Sequence, residues 1–325
     1  MQATTSPSRA LLAALLLCTM AGGARAQAWP NKPIRLVIGF APGGAADFVA
    51  RTIADPLSKA LGQTVAVENK AGAGSSLAAD FVAKAPADGY TLLIASPSSI
   101  SVNPALNPKL TYVKDLQPVM RVTASPLVVA VNPGAGINSL QELIAVAKAR
   151  PGALNYTTSG IGSAPHLGAA HFSKVAGVEM THIPYKGGAP AIQAVVAGDA
   201  QLTFGTPPSV LPMVQAGRLK ALAVTDTERT ALVPGVPGTA EAGLPAYSLS
   251  FWYGFFVPAG TPPEVSKKLF EATQQVMQRP EVKAALAREG TEVALSKTPD
   301  EFVSFLATDN AFWAKLVKDA GVKAD

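Results

Sequence analysis

Groups suited to holding an anion cluster in "VIGFAPGGAADFVAR", residues Val37 to Arg51: an apolar strand, a glycine turn, and a helix beginning near Gly44. No Ser, Thr or Asn stands at that start to cap it, so up to four main-chain N–H groups lack an intrahelical partner. Such an end attracts a carboxylate, helped by the helix dipole. Asp47, inside the first turn, is equally able to take those donors itself, and the sequence leaves both readings open. A second turn of the same kind occurs in "TTSGIGSAPHL", Thr157 to Leu167. There Ser159 and Ser163 either cap the following helix or offer hydroxyls to a ligand. Two such openings on two lobes would face each other across a cleft.

Other chemistries fit the residues poorly. Glu68 ends the second strand about where a ribose-binding acid would stand, yet Gly39, Gly43 and Gly44 do not form G-x-G-x-x-G, and no G-x-x-x-x-G-K-[ST] occurs. The sequence has no G-x-S-x-G elbow. Its three histidines are His166, His171 and His182, and the first two, five apart, do not share a helix face as metal ligands at i, i+4 would. No metal, cofactor or catalytic residue is expected. Ser163 and His166 on one helical turn keep an exported serine hydrolase as the alternative from another class.

The elements that must position these turns alternate. Strand Ile34 to Phe40, helix Ala46 to Leu61, strand Thr64 to Asn69, helix Leu77 to Lys84 and strand Thr91 to Ser96 give β-α-β-α-β, hence a parallel sheet. A second α/β unit follows: strand Leu127 to Asn132, helix Ser139 to Ala149, strand Leu154 to Ser159, helix Ala164 to Val175, strand Met180 to Tyr185, helix Ala189 to Ala197, and strands Gln201 to Thr206 and Leu219 to Thr225. One strand, Leu249 to Pro258, then precedes three helices, the last from Pro299 to about Ala320. Its return implies that the chain goes back to the first domain, so two α/β lobes are joined by two crossovers that form a hinge.

Composition bounds the class. With 325 residues, 48% apolar and 15% charged, the chain is long enough for two cored domains and is neither disordered nor coiled-coil. Residues 1–26 read as a secretory signal peptide: Arg9, an apolar run from Ala10 to Met20 too short to span a bilayer, and an A-x-A site at Ala24 to Ala26. The single cysteine, Cys18, would leave with it, which excludes disulfides and thiol chemistry. The net charge of +5 drops when Arg9 and Arg25 leave but stays mildly positive. No basic block suggests nucleic acid as a partner.

Several segments together resemble one family: "WPNKPIRLVIGFAPGGAADFVARTIADPLSKALGQTVAVENKAGAGSS", "ADGYTLLIAS", "HIPYKGGAPAI", "GLPAYSLSFWYGFFVPAGTPPEV" and "TPDEFVSFLATDNAFWAKLVKDAGV". They are similar to the Bug-type substrate-binding proteins of tripartite tricarboxylate transporters, in the family's order from Trp29 to near the C-terminus. The resemblance implies an α/β two-lobed periplasmic binding protein, a type II-like Venus flytrap with two crossover strands at its hinge. Its expected division is a signal peptide at 1–26, lobe 1 at 27–125 plus 248–325, and lobe 2 at 126–247. It implies a monomeric periplasmic receptor, cleaved near Ala26, that takes a small carboxylate to a membrane permease of the tripartite tricarboxylate transporter type; a solute sensor for a signalling partner shares the fold.

The ligand carboxylate would meet main-chain N–H groups, neutral hydroxyls and bridging waters. The family's loops fall here on Ala41 to Gly44 with Asp47, on Gly72 to Ser76, on Thr158 to His166, and on Pro184 to Gly187. The expected ligand-binding residues are Ala41, Gly43, Gly44, Asp47, Ser75, Ser76, Ser96, Thr158, Ser159, Gly160, Ser163, His166, Tyr185 and Gly205. In "QLTFGTPPS", Gly205 stands where the family usually has an acidic residue after Phe, which leads one to expect room for a larger or less polar distal group on the ligand.

Overall fold

The protein is described by a computed structural model covering residues 29–322. The expected leader lies outside the described residues.

The inner parallel strand Thr91–Ala95 is buried along its whole length and Ile34–Ile38 at all but Arg35, as strands covered by helices must be, whereas the edge strands Val65–Asn69 and Thr181–Pro184 are partly exposed. In order come β1 (Ile34–Ile38), α1 (Ala45–Leu61), β2 (Val65–Asn69), α2 (Ser76–Ala83) and β3 (Thr91–Ala95). A single π-helical turn, Ser98–Val102, runs into the short α3 (Asn103–Leu106), and β4 (Leu116–Pro126) follows. The next group is β5 (Val128–Val131), α4 (Leu140–Ala149), β6 (Asn155–Thr158), α5 (Ala164–Ala176), β7 (Thr181–Pro184), α6 (Gly188–Ala197), β8 (Leu202–Gly205), α7 (Pro207–Gln215) and β9 (Lys220–Val224). The chain closes with β10 (Ser250–Pro258), α8 (Pro263–Met277), α9 (Pro280–Arg288), β11 (Glu292–Val293) and α10 (Pro299–Ala320). The first strand stops at Ile38 because Gly39 and Phe40 already belong to the turn.

These strands form two sheets, β11-β4-β10-β3-β1-β2 and β7-β6-β8-β5-β9. In the first, β1 lies parallel between β2 and β3, and β10 returns antiparallel between β3 and β4. The second repeats the plan, with β6 parallel to β7 and β8, and β5 antiparallel to β8 and β9. Besides the short α3 and β11, the strand β4 and the helix α7 went unread in the sequence. Both of these longer elements are rich in proline, the residue that ordinarily argues against such assignments.

Each sheet has its own aromatic core. Trp252 of β10 meets Phe302 of α10 edge-on at 5.6 Å, and Phe256 joins them. Phe172, Phe204 and Tyr247 fill the second core, where the Tyr247 hydroxyl donates to the Gly168 carbonyl at 3.0 Å. The chain passes between the sheets at Leu127, linking β4 to β5, and returns through Leu249 into β10. Thr225, fully buried, ties the two passages together: its Oγ1 accepts the Leu127 N–H at 2.8 Å and donates to the Leu249 carbonyl at 2.6 Å. Its main chain bonds the same two residues, accepting from Leu249 N–H and donating to Leu127 O.

Candidate functional site

The glycine turn after β1 is held from within. Gly43 takes a left-handed φ of 80°, and Gly44 is the α1 N-cap, with no side-chain cap of its own. Asp47, only 6% exposed, accepts the Gly43 N–H at 3.1 Å and the Arg51 Nε–H at 2.9 Å on one oxygen, and the Asn69 amide at 3.1 Å on the other. Asn69 also donates to the Phe40 carbonyl. Of the two readings of Asp47, the geometry therefore gives the structural one: it fastens the turn and faces neither of the cavities described below.

Burial pushes the Asp47 carboxyl up, but the hydrogen bonds from Arg51, Gly43 and Asn69 outweigh it and hold its pKa below the ordinary value. Its stabilising contribution is therefore present above about pH 4 and lost as pH falls through the lower folded value. Asp47→Ala should cost about 1–3 kcal/mol in urea unfolding at pH 7, by orphaning buried donors. A variant as stable as wild type would show that the turn holds without it.

Helix starts from both lobes converge. The Ala45 N–H at the mouth of α1 donates to Ser209 Oγ of α7 at 3.2 Å, and the Ala41 N–H donates to the Lys186 carbonyl at 3.0 Å. A Cβ on Gly44 would stand 3.6 Å from the amide nitrogens of Gly188 and Ala189, at the start of α6, and one on Gly188 would fall 2.6 Å from Ser209 Oγ. The N-termini of α1, α6 and α7 thus meet at one point, and none has a side-chain cap from its own N-cap residue. The start of α5 is different. Ser163 Oγ accepts the His166 N–H at 3.3 Å as an ordinary cap, and Ser98 of the opposite lobe accepts the Ala164 N–H at 2.9 Å.

Between these ends lies a cavity with an empty volume of about 430 Å³, lined by Gly44, Ala45, Ser98, Thr158, Ser159, Gly205, Thr206 and Ser209, with Phe40, Phe251 and Tyr253 supplying aromatic surface. No charged side chain is among its lining residues. A second cavity of about 550 Å³ adjoins it at Phe40 and Ser159, and is lined by Gly72 to Ser75, Gly160, Ile161, Tyr185 and Lys186. Ser75 is strained, with φ of 79°, and its buried hydroxyl has no hydrogen-bond partner among the described residues.

The expected residues are distributed accordingly. Gly44, Thr158, Ser159 and Gly205 line the first cavity, and Ser75, Ser159, Gly160 and Tyr185 the second. Ala41 and Gly43 shape the turn through their N–H groups. Ser76 bonds Tyr112 Oη at 3.0 Å, and Ser96 Oγ is buried without a partner among the described residues. Ser163 is a cap, and the His166 ring stacks on His182 at 4.1 Å. These last four line neither cavity. At Gly205 a Cβ would meet Val210 Cγ2 at 2.6 Å and Ile192 Cδ1 at 3.4 Å, so the lost side chain leaves no vacant room; aliphatic groups fill it. Ser98, Ser209, Phe251 and Tyr253 escaped the sequence reading. For Ser209 a signal existed, since "TPPS" again follows a strand and opens a helix.

Thr158 is oriented from behind. Its Oγ1 shares a 2.7 Å hydrogen bond with His182 Nε2, and the His182 ring lies between those of His166 and Tyr156. Burial, and secondarily the neighbouring His166, push the His182 pKa down to about 3. The unfolded chain then binds this proton first, so stability is full above about pH 6.5 and declines as pH falls towards 3, by at most about 1.4 kcal/mol per pH unit. His182→Gln should flatten that decline in urea unfolding between pH 6.5 and 4. His171, also held low by burial, would keep part of the slope. An unchanged slope would place the titration elsewhere.

The model of the tripartite tricarboxylate transporter family receptor matches residues 49–322. The chain belongs to this family. It is 37% identical to the protein BugT of Bordetella pertussis over 92% of each chain. Among solved structures, a Rhodopseudomonas palustris protein with adipate is 33% identical, with a TM-score of 0.87 over 91% of this chain and 99% of that one. MatC from the same organism, with bound malate, is 31% identical, with a TM-score of 0.85 over 89% and 100%. The family's receptors are two-lobed periplasmic binding proteins, and both sheets described above are built on that plan.

Proposed function

We propose that this family member is a monomeric periplasmic receptor, exported with cleavage near Ala26, that closes lobe 1 (27–125 plus 248–325) and lobe 2 (126–247) on a small carboxylate. It then delivers that ligand to a membrane permease and performs no chemistry on it. One observation carries this reading: three helix N-termini from both lobes converge on a cavity lined by no charged side chain. Each end presents main-chain N–H groups and the positive pole of its dipole, so an anion between them is held without a counter-cation. Because the donors come from both lobes, the closed form binds the anion better than the open form, and binding shifts the population towards closure. The adipate and malate held by related proteins support a carboxylate as the cargo.

Thermal-shift screening of the purified chain against mono- and dicarboxylates tests this. A ligand at 100 times its dissociation constant adds about 2.7 kcal/mol to stability, which a melting curve resolves. A flat response to every carboxylate would overturn the reading.

A further inference from the structure

Resting on the receptor reading, in which the two lobes close on a ligand, we propose that Asp309 is a positioning residue for that closure. It lies on α10, lines neither cavity, and acts through the π-helical turn Ser98–Val102. That turn forms part of the seam between the lobes. Its Ser98 hydroxyl accepts the Ala164 N–H of α5 from across the cleft at 2.9 Å. Ala164 opens its helix, where an N–H has no intrahelical acceptor, so this bond between lobes is what holds it away from water.

The turn is unusual in its own backbone. The Asn103 N–H reaches back to the Ser98 carbonyl, five residues earlier, and such π turns are rare and often found at functional sites. Side chains behind it hold its shape. Tyr112 Oη donates to the Ser99 carbonyl at 2.7 Å. Asp309, 208 positions away from Ser101 in sequence, accepts that serine's hydroxyl at 2.9 Å on one oxygen and the Trp313 indole N–H at 3.2 Å on the other. Ser98, Ser99 and Ser101 are all buried, so water does not stand ready to replace these bonds. Stability alone does not account for a carboxylate at this point. Burial pushes the Asp309 pKa above its ordinary value, against the opposing pull of Ser101, Trp252, Trp313 and Arg121. At neutral pH the ionised group therefore works against folding, because the unfolded chain gives up this proton more readily. What the charge does supply is a strong, fixed acceptor for Ser101, and through it the position of the turn that carries Ser98.

Amide hydrogen exchange of the full mature chain without ligand, followed residue by residue by NMR, tests this at Ala164. Asp309→Ala and Ser101→Ala are each expected to speed Ala164 exchange at least tenfold, and the double variant no more than either single one. The amides of Leu93 in β3 and Val129 in β5, buried in the two sheets, should stay within about threefold of wild type. Unchanged exchange at Ala164 would overturn the proposal, and so would an equal rise at Leu93 and Val129, which is general destabilisation. Additive effects in the double variant would show that Asp309 does not act through Ser101, and an Ala164 amide already unprotected in wild type would show that Ser98 is not held against it; either overturns the proposal. Should Asp309→Ala fold poorly, Ser101→Ala, which removes only a hydroxyl, decides by the same readout. The measurement uses no ligand, so its failure leaves the carboxylate screen, and with it the receptor reading, untouched.

Discussion

Thr225→Val is expected to lower the melting temperature by roughly 5–10 °C, although valine has the shape of threonine. The hydroxyl it removes is fully buried between the two passages that join the lobes, accepting from Leu127 and donating to Leu249. Its loss strands one donor and one acceptor away from water, at about 1–3 kcal/mol each. A chain of this size moves about 2–4 °C per kcal/mol, so the lower part of that range, about 2–3 kcal/mol in all, gives the expected shift. Thr225→Ser retains the hydroxyl and serves as the control, losing only a methyl group. Equal melting temperatures for the valine and serine variants would mean that the main-chain bonds of Thr225 hold the junction by themselves.

The second large effect concerns closure. Gly162, in the loop between β6 and α5, sits at φ of 71°, and a Cβ there would lie 1.9 Å from Asn103 Oδ1 and 3.0 Å from its Cγ, on the opposite lobe. Asn103 is not free to swing aside, because its amide donates to the carbonyls of Gly74 at 2.9 Å and Ala73 at 3.3 Å. Gly162→Ala should therefore hold the lobes apart while each remains folded. The left-handed φ adds about 1–2 kcal/mol of strain, which a marginally affected melting curve would register. Affinity for the best carboxylate of the screen should fall roughly tenfold to a hundredfold, matching an overpacking cost of about 1–3 kcal/mol. Adding Asn103→Ala removes the obstruction and should recover most of the loss. Wild-type affinity in the single variant would show that ligand is bound with this seam open.

Much of the fold was legible because the strands between helices are short, apolar and separated by glycine turns, the pattern that a covered parallel sheet imposes. The strand β4 was not, since Pro118, Arg121 and Pro126 break its apolar run. It is a strand all the same: Pro118 pairs with Phe256 of β10, and β11 pairs with β4 only at Thr123 and Ala124, so the other flank of Pro118 has no neighbouring strand to need its N–H. Helix α7 hid behind three prolines. Pro207 and Pro208 fall in its first turn, where an absent N–H costs nothing, and only Pro212 lies further in.

The site was legible by loop and not by contact. That a helix after a glycine turn opens without a cap can be read locally, and Asp47 could be weighed from four residues away. That the Ala45 N–H meets Ser209, 164 positions later, or Ala164 meets Ser98, depends on how the two lobes come together, which no local pattern encodes. The emptiness expected at Gly205 failed for the same reason: Val210, on the helix that went unread, fills it.

The placement of β10 has a consequence for the order in which the molecule assembles. This strand, from residue 250 onward, is inserted between β3 and β4, and the first sheet has no other hydrogen-bonded link between those two strands. Until β10 arrives, the early strands β1 to β3 and the later β4 are halves of an unfinished sheet, even though more than two-thirds of the chain has been synthesised. The second sheet is drawn wholly from the stretch between and can close first. Pairing over such sequence separations is slow, because the long loop must be closed before the contacts repay it. Folding of the first lobe is thereby deferred to the last quarter of the chain, and truncation just before Ser250 should leave its two halves unable to join.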